Sequence, residues 1–257
     1  MTAMTLGAAR ASGNSFYVWM AGVCALIAFG GFAPTYWLQL APATFIGAPL
    51  IHLHAALFSG WTLLFLSQTV LAANGRIDHH RAWGVAGVSL ATAMIVVGAA
   101  TAIQGFNAQI ADGHGAAQRM FLIVPISALV VFAAFFATAL ANVNRPEIHK
   151  RLMLLATVSL LQAAMARVFF TLITGGGPGR RPGLGPPGTV IQTVAPGLIV
   201  DLLIVAAMIY DWRTRGRPHS AYVIGGGLLL AAQLLRVPLS TTPTWLHMAD
   251  HLAAFAK

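Results

Sequence analysis

Long apolar runs separated by short polar clusters mark almost the whole chain. Residues 16–38, 52–73, 83–105, 119–141, 151–173, 194–212 and 220–238 are each predominantly uncharged, and each is close to the roughly 20 residues a helix needs to cross the hydrocarbon of a bilayer. A span must satisfy its backbone hydrogen bonds internally, so all seven are predicted as helices. The expected fold is an all-α, polytopic transmembrane helical bundle in a single integral membrane domain, with the second to fifth helices as its centre. The seventh span is weakened by Gly225, Gly226 and Gly227, and Arg236 near its end is expected to snorkel to water. The first run is longer than a signal-peptide core and has no small-residue cleavage site, which predicts a retained span.

Between these runs, residues 175–193 open with GGGPGRRPGLGPPG, too rich in Gly and Pro for a helix and without the Gly-Lys-Ser/Thr ending of a phosphate loop. This is read as an outer connector. Residues 243–257 (PTWLHMADHLAAFAK) read as an amphipathic surface helix.

Composition agrees with the pattern. Hydrophobic residues make up 58% of the 257 positions and charged residues 8%, with a mean hydropathy of +0.76, far outside the range of soluble domains. The lipid bilayer is therefore the first partner. The formal charge of +9 does not indicate nucleic acid, because the cations form no basic face with interleaved aromatics. They follow membrane sidedness instead. Arg10, Arg76, Arg81, Arg145, Lys150, Arg151, Arg213, Arg215 and Arg217 fall on one side, against Arg119, Arg180, Arg181, Arg236 and Lys257 on the other. That asymmetry predicts a cytoplasmic N terminus and a periplasmic C terminus in a bacterial inner membrane. Cys24, the single cysteine, permits no intrachain disulfide and reads as a packing residue.

The polar residues left over form two layers. His52, His54, His114, His247 and His251 lie toward the outer side, and His79, His80, His149 and His219 toward the inner side. In the inner layer, HHRAWGVAG (79–87) and IHKRLMLLA (148–156) both set a histidine followed by cations at the start of a helix. His80 and His149 therefore sit at matched depth and could hold a haem iron axially, with Arg81, Lys150 and Arg151 as propionate partners. His80, Gly84, Gly87, Ala91, Met94 and Gly98 line one helical face. Such a stripe suits a flat macrocycle and equally suits close helix packing.

In the outer layer, His54, Trp61 and Gln68 recur every seven residues on a shared face. His54 and His114 are candidates for a second bis-histidine site, although His114 stands between Gly113 and Gly115. His247 and His251, four apart on a helix, offer an alternative use of this layer as a zinc site for hydrolysis, given a third ligand from His52, His54 or His114. Two charges lie within the spans, Arg167 and Asp201. Their matched depth predicts an ion pair, structural or functional.

The segments HLHAALFSGWTLLFLSQTVLAANGRIDHHRAWGVAGV (52–88), EIHKRLMLLATVSLLQAAMAR (147–167) and DLLIVAAMIYDWRTRGRPHSAY (201–222) resemble a group of bacterial multi-pass membrane proteins defined only as a domain of unknown function. More distantly, the histidines on the second to fifth helices are similar to those of transmembrane di-haem cytochromes b and ferric-reductase-like proteins. That resemblance implies b-type haem electron transfer, with His80 and His149 on an inner haem, His54 (or His52) and His114 on an outer one, and a redox partner or quinone. The competing expectation is a cofactor-free accessory subunit or small-molecule carrier whose Arg167 and Asp201 line a cavity.

Overall fold

A computed structural model describes residues 2–41, 44–45, 47–174 and 188–254, and every element in it is helical. Helix α1 (Thr2–Phe32) continues through a π-helical turn at Ala33–Trp37 into Leu38–Leu40. Then follow α2 (Pro49–Ala73), α3 (Ile77–Ala111), and α4, which runs as Gly115–Phe121 and, after an interruption at Leu122, as Ile123–Ala141. Helices α5 (Pro146–Thr174), α6 (Val194–Arg215, entered through a 3-10 turn at Val190–Thr193), α7 (Ser220–Leu239) and α8 (Pro243–Ala254) complete the chain. The first seven are long and apolar enough to cross a membrane. The protein is thus a multi-pass helical bundle. The predicted connector at 175–188 lies, except for Gly188, outside the described residues.

The spans extend past their apolar cores. The third begins at Ile77 rather than 83 and the fifth at Pro146 rather than 151. His79, His80 and His149 are accordingly inside the first turn of their helices. Polar first turns are invisible to hydropathy but suit a helix start, where Asp78 and Glu147 meet the positive end of the helix dipole.

Helix α5 is the axis of the bundle, packed against α1, α4, α6 and α7. Leu154, Leu155, Ala156, Val158 and Leu161 are enclosed, together with Phe132 and Phe135 of α4 and Tyr222 and Leu229 of α7. Glycine sets the closest approaches. A Cβ at Gly31 would run into the backbone carbonyl of Ala164, and one at Gly225 would stand 2.5 Å from Leu155 Cδ1. The glycines that weaken α7 on paper thus include one that allows it to dock, as small residues do in membrane interfaces. Helix α8 is no free surface helix. Trp245 and Ala249 are buried with Phe106 of α3 and Leu122 of α4, and Trp245 Nε1 donates to the Arg119 carbonyl at 2.9 Å.

Candidate functional site

Alternating spans place His80, His149 and His219 at one end of the bundle and His52, His54 and His114 at the other. At the first end, the α2–α3 turn passes through Gly75 (φ 71°), a left-handed position that glycine adopts without strain. The α4–α5 turn at residues 142–145 is also short, so the starts of α3 and α5 are fixed by the helices preceding them.

The imidazoles of His80 and His149 come together, with ring centres 6.4 Å apart and planes at 87°. His80 Nδ1 lies 3.3 Å from the Gln68 carbonyl oxygen and His149 Nδ1 lies 2.9 Å from that of Ala139. A carbonyl can only accept, so each Nδ1 carries the proton and each Nε2 keeps its lone pair. This is how metal-ligating histidines are commonly oriented from outside the coordination sphere. Two imidazoles across one iron, with bonds of about 2 Å and roughly 1.1 Å from nitrogen to ring centre, would have centres about 6 Å apart. The pair fits a bis-histidine centre in separation and tautomer. Two further observations bear on a bound group. The Gln68 side-chain amide has both polar atoms shielded and without a partner, and open space surrounds the position of a Cβ at Gly84, one turn from His80.

The predicted cationic neighbours divide. Arg81 is exposed and makes no ion pair among the described residues. Lys150 and Arg151 are committed elsewhere. Arg151, with its side chain 2% exposed, makes a two-point ion pair with Asp211 through Nε (2.9 Å) and Nη2, while its Nη1 donates to Glu147 Oε2 at 2.7 Å. Glu147 also accepts from Lys150 (2.7 Å) and Arg215 (2.7 Å). The Asp211 carboxylate accepts the His219 backbone N–H at 3.2 Å. Aromatic rings close the network: Tyr222 lies 5.6 Å from the Arg151 guanidinium, Tyr17 lies 5.0 Å from Lys150 Nζ, and the two tyrosine hydroxyls are hydrogen-bonded. The sequence reading gave Arg151 to membrane sidedness and to a haem propionate, and did not single out Glu147, Asp211, Tyr17 or Tyr222. The only available signal was an acid in the last turn of α6, just before Arg213 and Arg215.

At the opposite end the expected pairings do not form. Arg167 and Asp201 make no ion pair: Asp201 Oδ1 accepts from Gln233 Nε2 at 3.3 Å, and no described carboxylate lies within ion-pair distance of Arg167. The two residues match in depth but their helices turn them to different neighbours. Asp201 faces α7 through Gln233. Nor does Arg236 snorkel. It is 3% exposed, donating to Gln162 Oε1 (3.0 Å) and to Thr193 Oγ1 (2.7 Å) and O (3.2 Å).

His54 stacks on Phe58 at 4.1 Å with its Nδ1 shielded and unpartnered, and it makes no ring contact with His114, which stands at the N-cap position of α4 without a side-chain capping bond. His52 Nδ1 instead meets the Tyr36 hydroxyl at 2.9 Å. His247 and His251 are exposed on α8, and among the described residues no three His, Cys, Asp or Glu side chains converge as a metal site. No family model, curated protein or solved structure matches the chain.

Proposed function

We propose that this multi-pass membrane protein is an electron-transfer protein that holds one b-type haem between His80 and His149. The observation that carries the reading is the neighbouring imidazole pair, 6.4 Å between ring centres, with both Nδ1 protons given to backbone carbonyls. A haem so held supplies a one-electron carrier near one membrane surface. His80 and His149 offer their Nε2 lone pairs, and the Gln68 and Ala139 carbonyls fix the tautomers. Arg81, exposed and uncommitted, is the cation left for a propionate, whereas Lys150 and Arg151 hold the helices around the site. The similarity to di-haem cytochromes b and ferric-reductase-like proteins agrees with the inner site. The outer one, from His54 and His114, is not part of the proposal. A bacterial inner membrane, with the His80 end cytoplasmic, and a quinone or protein redox partner belong to the same reading.

The test is a reduced-minus-oxidised visible spectrum of detergent-purified protein expressed with ample haem. A b-type band present in the parent and lost in both His80→Ala and His149→Ala is the expected result. A colourless parent overturns the proposal.

A second reading, a small-molecule carrier, rests on a different observation. Among the described residues Arg167 has no carboxylate partner, and His54 Nδ1 and Thr171 Oγ1 are shielded without partners at the same end of the bundle. An ionisable group within a span marks a substrate path by default. Uptake into proteoliposomes that is lost in Arg167→Gln, by a colourless protein, would favour it.

A further inference from the structure

A cavity of about 460 Å³ opens where α6 ends and α7 begins, lined by Arg215, Arg217, His219, Ser220, Val223 and Ile224. Its chemistry is split. The lining combines the guanidiniums of Arg215 and Arg217 and the Ser220 hydroxyl with two aliphatic side chains, Val223 and Ile224, that are 51% and 63% exposed. In a spanning helix such side chains face acyl chains, so the cavity sits at the boundary between lipid tails and polar headgroups.

Charge decides what it takes. The adjoining network sets two carboxylates, Glu147 and Asp211, against three cations, Lys150, Arg151 and Arg215. Arg217 adds a further cation, with no acid partner among the described residues. The cavity is therefore bordered by uncompensated positive charge. His219 responds to the same surroundings: burial, then the charges of Arg151 and Arg215, hold its imidazole below the ordinary value, against the weaker opposing effect of Asp211 and Glu147. Its Nδ1 is occupied, accepting the Ala221 N–H at 3.1 Å, so the imidazole is no competing ligand for an anion through that atom.

We propose that this cavity binds the phosphate headgroup of an anionic phospholipid, with Arg215, Arg217 and Ser220 on the phosphate and an acyl chain along Val223 and Ile224. Guanidinium groups suit phosphate because their N–H fork meets two oxygens at once. Basic recesses between spans are where such headgroups are held. The proposal is independent of any haem.

The test uses delipidated full-length protein, parent and Arg217→Gln, with phosphatidylglycerol or phosphatidylcholine added and bound lipid counted by native mass spectrometry. Arg213→Gln removes the same charge four residues earlier, outside the cavity, and controls for general surface attraction. The expected result is phosphatidylglycerol retained at least five-fold over phosphatidylcholine by the parent and by Arg213→Gln, with the preference lost in Arg217→Gln and reduced in Ser220→Ala. Equal losses in Arg213→Gln and Arg217→Gln, or no preference in the parent, overturn the proposal. Displacement of the lipid by millimolar inorganic phosphate would also overturn it, by identifying a site for free anions.

Discussion

The two ends of the bundle handle charge in opposite ways. At the His80 end, Arg151, Asp211, Glu147, Lys150 and Arg215 are linked from two helices, α5 and α6, into one network, with the most buried cation meeting carboxylates at several points. At the His54 end, Arg236 is held by neutral oxygens, Asp201 by an amide, and Arg167 by no carboxylate. A saturated network locks helices against one another, because removing one member strands the others. A sparse set of polar groups leaves capacity for something else to bind. On this contrast, the first end is a framework around a fixed centre and the second is the more adaptable.

The sharpest way to break the comparison is Asp211→Ala, which takes from buried Arg151 its two-point partner and leaves it only Glu147. Losing one partner of a buried ion pair costs about 3–5 kcal/mol, so the thermal unfolding midpoint in detergent should fall steeply or the protein fail to accumulate. Arg236→Met at the other end removes a cation whose hydrogen bonds all go to neutral acceptors. The expected loss is about 1–3 kcal/mol, from leaving Gln162 and Thr193 without their donor, read in the same assay. Should Arg236→Met prove the costlier of the two, the contrast between the ends is wrong.

A smaller effect belongs to pH. His219 is held below its ordinary value of 6.5 by burial and the neighbouring guanidiniums, so the unfolded chain binds its proton more readily than the folded one. Its contribution is complete above pH 6.5 and is lost as the pH falls toward the lowered value. Unfolding midpoints measured across that window should decline on acidification, and less so in His219→Asn. The smallest change is expected from Arg167→Gln. With no described carboxylate to strand and a costly intramembrane charge removed, it should leave the midpoint unchanged or slightly raised. A large loss would mean that Arg167 has a partner the contrast denies it.

Depth along the membrane normal was legible in the sequence, and direction around each helix was not. Span number, helix order and the shared level of His80 and His149 follow from counting apolar residues and alternating the helices. The same counting put Arg167 and Asp201 at one level and wrongly made them a pair, since equal depth says nothing about which neighbour a side chain faces. Arg236 failed for the same reason: a cation near a span's end reads as snorkelling, yet α7 turns it inward onto Gln162 and Thr193. Arg151 was hidden more deeply. Its partner Asp211 lies 60 residues away in the chain, and a cation flanked by cations is sufficiently explained by membrane sidedness. The extra turns at the starts of α3 and α5, which carry the histidines into the helices, were missed because their residues are polar.

That separation of 60 residues has a consequence for how the protein is made. Synthesis runs from the N terminus, so α5 reaches the membrane with Arg151 before any of α6 exists. The acid already at hand is Glu147, one turn away in the same helix and bonded to Arg151 Nη1 at 2.7 Å. Glu147 can therefore escort the guanidinium into the apolar phase, and Asp211, arriving later, takes over the deeper face while Glu147 keeps its hold and gathers Arg215. A chain lacking Asp211 has an assembled helix waiting for a partner, but one lacking Glu147 must bring Arg151 in alone. The two acids meet the same cation at different moments in the life of the molecule, and the order in which they do so is written in their positions along the chain.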